Sequence, residues 1–62
     1  MNEDNKQGIR IAIERLTVLA KEFEAEEYEI IAVRGKGDIV AYGRTVGACL
    51  CIAELMKLLE ET

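Results

Sequence analysis

Sixty-two residues with 8 Lys plus Arg and 12 Asp plus Glu carry a formal net charge of -4 and a pI near 4.7. A chain this short makes one small domain, read here as residues 1–62 with a polar leading segment over 1–6, and a lone core of that size is marginal. Hydrophobic residues at 50% exclude a disordered chain, the absence of proline lets helices run unbroken, and the acidic balance opposes binding to a polyanion.

From Gly8 to Glu26 the apolar residues Ile9, Ala12, Ile13, Leu16, Leu19, Ala20 and Phe23 recur every three or four positions, the stripe of an amphipathic α-helix. Asp4 or Asn5 is placed to cap its start, and the carboxylates from Glu22 to Glu27 would fray its end, where the helix dipole disfavours them. Ile11 and Val18, seven apart, lie nearly opposite the stripe and are a candidate second contact strip.

Tyr28–Val33 and Ile39–Tyr42 are short runs of β-branched and aromatic residues. They are separated by Arg34-Gly35-Lys36-Gly37-Asp38, whose glycines admit the positive φ of a tight turn. This pattern predicts an antiparallel β-hairpin with two largely apolar faces, its sheet extended across an oligomer interface. Gly43 would end the second strand and Thr45 would cap a last helix running to about Glu60. On that helix Ala48, Cys51, Ile52, Leu55 and Leu59 share one face, and Val46, Leu50 and Ala53 the opposite one. The expected fold class is α+β, in the order α-β-β-α, assembled as a homodimer or higher oligomer through Ile11, Val18, Val46, Leu50 and Ala53.

Chemistry is sparse. The chain has no His to act as a base near neutral pH and no Ser nucleophile, so catalysis is not expected. Cys49 and Cys51 stand two apart on a helix and cannot bridge each other; they read as core thiols in a reducing cytoplasm. No metal or cofactor is implied. The acidic start Met1–Gln7 is unlike a signal peptide, and the longest uncharged stretch, Thr45–Ala53, is short for a bilayer span, so no membrane contact is expected.

Arg34 and Lys36 in a glycine-rich turn, with Arg44 and Thr45 at an expected helix start, form a candidate phosphate or nucleotide site. The carboxylates Glu24, Glu26 and Glu27 form a candidate surface for a basic protein partner. The expected function is that of a small acidic interaction protein, a binder, inhibitor or regulator of another macromolecule. A small-ligand binder is the rival, and a nucleic-acid module ranks third.

With strands followed by Gly43-Arg44-Thr45 and an alanine-containing helix, Tyr28–Glu61 resembles the second half of a double-stranded-RNA-binding domain. Asp38–Met56, with Gly43-Arg44-Thr45-Val46 before the helix and Ala53-Glu54-Leu55 near its end, is similar to the strand-to-helix step of Alba-type nucleic-acid-binding proteins. The RNA-binding family's basic helix start is replaced here by Thr45-Val46-Gly47, with no lysine before Lys57, so the resemblance brings no binding residues with it.

Overall fold

The structure, a computed structural model, describes residues 3–61 and holds two α-helices: α1 over Glu3–Arg34 and α2 over Ile39–Glu60. They pack along each other as a helical hairpin. The expected α+β domain is overturned, because the described residues include no strand and so no β-hairpin or sheet. Tyr28–Val33 is the last part of α1, and Ile39–Tyr42 is the first turn of α2. Glu22–Glu27 is helix interior rather than a frayed end, and Glu3, Asp4 and Asn5 already lie inside α1. Met1 and Asn2, part of the polar leading segment, lie outside the described residues.

A seven-residue repeat explains why α1 continues. Ile9, Leu16, Phe23 and Ile30 fall seven apart on one side, with Ile13, Ala20 and Glu27 beside them, and all seven are half-buried. In α2, Ala41, Ala48 and Leu55 repeat at the same interval, with Thr45, Ile52 and Leu59 alongside. The two repeats meet in one seam.

The reversal between the helices is short and locally specified. Gly35 has φ 74° and its N–H donates to the Ile31 carbonyl at 2.7 Å, a left-handed cap in which a Cβ would be strained. Asp38, extended at φ -118° and ψ 125°, caps α2 by accepting from the Val40 N–H at 2.9 Å. Thr45 is therefore not the cap: it sits inside α2, and its hydroxyl donates to the Ala41 carbonyl at 3.3 Å.

The seam is thin. Ala41 (1% exposed) and Ala48 (8%) are the only buried residues among those described. Their small side chains let the backbones approach, and the antiparallel register brings Ala48 about level with Phe23 and Ala41 about level with Ile30. The molecule is a rod of 48 × 15 × 12 Å, its length matching 32 helical residues at about 1.5 Å each.

Cys49 and Cys51 are both exposed free thiols, which overturns their reading as core residues. By length and composition, α2 is apolar enough to cross a membrane: its most apolar 18 residues have a mean hydropathy of 1.5, and 11% of them are buried. The expectation of a stretch too short for a bilayer is corrected, because Thr45–Ala53 is the uncharged middle of a longer apolar helix. Between Ile39 and Met56 the charged residues are Arg44 and Glu54.

Gly35→Ala should lower stability by about 1 kcal/mol through its left-handed φ. Gly37→Ala, with no positive φ and open space around it, should be nearly neutral. Urea denaturation followed by far-UV circular dichroism measures both, and the wild-type spectrum should be helical.

Candidate functional site

The contact richest in specific chemistry joins the two helices near the closed end of the hairpin. Arg44, in the second turn of α2, donates from Nη2 to Glu26 Oε2 at 2.9 Å, and its guanidinium carbon lies 5.1 Å from the centroid of the Phe23 ring. Phe23 and Glu26 are three apart on α1, so one cation reaches a ring face and a carboxylate together. Both charged side chains remain about half exposed, which limits the pair's strength. Their arrangement ties α2 to α1 at this level of the hairpin.

The residues expected to hold a phosphate are not arranged for it. Arg34 closes α1 and lies 4.0 Å from Asp38, Lys36 is in the exposed reversal, and Arg44 is bound to Glu26. Gly43, Arg44 and Thr45 are helix interior, so they offer no free N–H groups of a helix start.

The expected partner carboxylates diverge. Glu24 is exposed, Glu26 is paired with Arg44, and Glu27 is half-buried in the seam beside Ile31, Ile39 and Tyr42. A different set lines up. Glu22, Glu26 and Glu29 stand four and three apart on one flank of α1, all exposed, and Glu22 and Glu29 form no ion pair among the described residues. The spacing was present in the sequence, but reading Glu29 into a strand concealed it.

The residues expected at an oligomer interface fall on separate surfaces. Ile11 (40% exposed) and Val18 (56%) are on the outer side of α1; Leu50 (62%) and exposed Ala53 are on α2, with Val46 half-buried. Leu50 also borders a shallow apolar groove with Leu16, Cys51 and Leu55. Among the described residues no group of His, Cys, Asp and Glu is placed to hold a metal ion. No family model, curated protein or solved structure matches the chain.

Arg44→Ala should destabilise the hairpin by about 1 kcal/mol, the loss of an exposed ion pair plus an exposed cation–π contact. Glu26→Gln should lose only a few tenths of that, because the ring contact survives. A double-mutant cycle between positions 44 and 26, read by thermal denaturation at low and high salt, separates the two contributions.

Proposed function

We propose that the protein is a small, acidic, non-catalytic interaction protein that works as an oligomer and binds, inhibits or regulates another macromolecule through the outer surface of α1. The observation that supports this is the segregation of charge. Along α1 there are eight acidic and five basic residues, against two of each along α2. The flank bearing Glu22, Glu26 and Glu29 presents carboxylates to water with little internal neutralisation. A basic patch on a protein, such as one that otherwise holds nucleic acid, matches that flank in sign. The attraction would speed encounter more than it deepens affinity and would weaken with salt. A cytoplasmic setting suits the two exposed thiols, which stay reduced there.

A phosphate or nucleotide binder is the weaker reading, since Arg44 already has a carboxylate and a ring as partners. Nucleic acid is weaker again, because the net charge of -4 repels it.

Affinity capture from native lysate, with mass spectrometry, identifies the partner. Glu22→Lys with Glu29→Lys should then slow association about tenfold and flatten its salt dependence, while Arg34→Ala with Lys36→Ala leaves the rate nearly unchanged. A rise of several degrees in Tm with inorganic phosphate or nucleotides, lost in Arg44→Ala, would replace this reading with the ligand binder.

A further inference from the structure

The side of α2 turned away from α1 is apolar over its first three turns. Ile39, Gly43, Val46, Gly47 and Leu50 fall there at intervals of three and four, with Val40 at the edge; Val46 and Gly47 are half-buried, and Leu50 also reaches the groove beside Leu16. Ile39 is 85% exposed, Val40 67% and Leu50 62%. Gly43 and Gly47 weaken the helix relative to alanine, yet no atom lies within 4 Å of where a Cβ would stand on either. Nothing inside the hairpin requires them to be glycine.

The total surface of the rod sets the scale of what a second copy could cover. The hairpin exposes 4726 Å², whereas a folded chain of its mass, 6.9 kDa, presents about 4,000 Å². The excess, about 700 Å² taken over all sides of the rod, is of the order of the ~800 Å² that each partner contributes to a standard-size interface.

We propose that a second copy of this chain covers this face, α2 against α2 and antiparallel, about a two-fold axis passing between Val46 and Gly47. In that register each Leu50 sits over the partner's Gly43, and each Val46 over the partner's Gly47, large side chains against positions that lack one. The α1 helices lie outermost with their carboxylates in water. The inference deepens the oligomeric part of the proposed function and does not depend on what α1 binds.

Lipid is the poorer occupant. An intact hairpin would carry Arg15, Lys21, Glu22, Glu24 and Glu29 into hydrocarbon, where charge is strongly disfavoured. The outer side of α1 is also a poorer interface, because Glu14, Arg15 and Glu22 surround Ile11 and Val18.

Light scattering on the full chain at micromolar concentration should give twice the 6.9 kDa chain mass. Gly43→Ala and Gly47→Ala give a test of sign. In a monomer each adds a better helix former in open space and raises Tm; in this dimer each lowers Tm and shifts the mass towards one chain. Leu50→Glu should yield a helical monomer, and should it unfold instead, the glycine variants still decide. With Cys49 and Cys51 replaced by Ala, Val46→Cys should form an interchain disulfide on oxidation. Leu50→Cys should not, since the antiparallel register sets the two copies of position 50 about 10 Å apart along the helices. A monomeric mass, a higher Tm in both glycine variants, cross-linking at 50 but not 46, or partition of wild-type chain into phosphatidylcholine vesicles would each overturn the proposal. Loss of salt-dependent partner binding with the dimer mass intact would instead remove only the proposed role of α1.

Discussion

One line of contact between two helices carries the whole fold, and Ala41 and Ala48 set how closely it runs. Each helix of a hairpin covers a single stripe of the other, so burial here is confined to the seven-residue repeats that face each other. Leucines or isoleucines at both alanine positions would push the backbones apart and expose the flanks of Phe23 and Ile30. With alanine, the larger α1 residues fill the space between helices, and the two α2 residues opposite them become the most completely buried of those described. The short reversal follows from the same closeness: a left-handed glycine ends one helix and an aspartate caps the next within four residues.

A single seam leaves the rest of each helix to water, and the two helices differ sharply in how they meet that condition. α1 turns its apolar stripe towards α2 and carries most of the molecule's charge on its other sides, where Ile11, Val18, Tyr28 and Val33 are also exposed. α2 lacks a polar side along its first half, so its seam residues are covered while Ile39, Val40 and Leu50 are not. The contrast is a matter of sequence rather than of packing, because any partner helix placed against one face of α2 would leave the opposite face bare.

The first helix was legible as far as Phe23 because its stripe is periodic and flanked by charge. Beyond it, Tyr28–Val33 is dense in β-branched and aromatic residues and short enough to pass for a strand, and such runs are ambiguous by pattern alone. The seven-residue interval settles them: Ile30 follows Phe23, Leu16 and Ile9 in step. By pattern Gly35 and Gly37 both suit the positive φ of a β-turn; Gly35 alone adopts it, and there the same backbone freedom ends a helix. Asp38 belongs to that turn by pattern, yet it immediately precedes the apolar start of α2, the place of a cap. Thr45 shows the converse error, since a threonine inside a helix satisfies its hydroxyl on the carbonyl four residues back. The cysteines were misjudged because an all-apolar helix implies a surrounding core, and a two-helix chain has none to offer. Of the candidate site residues, Arg44 stands inside α2 rather than at a helix start, and its partners, Phe23 and Glu26, come from the other helix, where no local pattern announces them.

Arg44 is also where the two surfaces of the molecule are reconciled. It is the one charged residue of α2 before Glu54, and it leans across to α1 rather than standing on the outer side of its own helix. Neutralising it on Glu26 leaves the face from Ile39 to Leu50 without charge. An antiparallel pairing of two such faces would then bring no like charges together at its centre, the repulsion that most directly opposes self-association. The same pairing consumes one carboxylate of the Glu22, Glu26 and Glu29 flank and leaves the other two free, so an uncharged face for a second copy and an acidic face for a different partner follow from one ion pair. Moving the cation a single position along α2 would swing it about 100° around the helix and undo both at once.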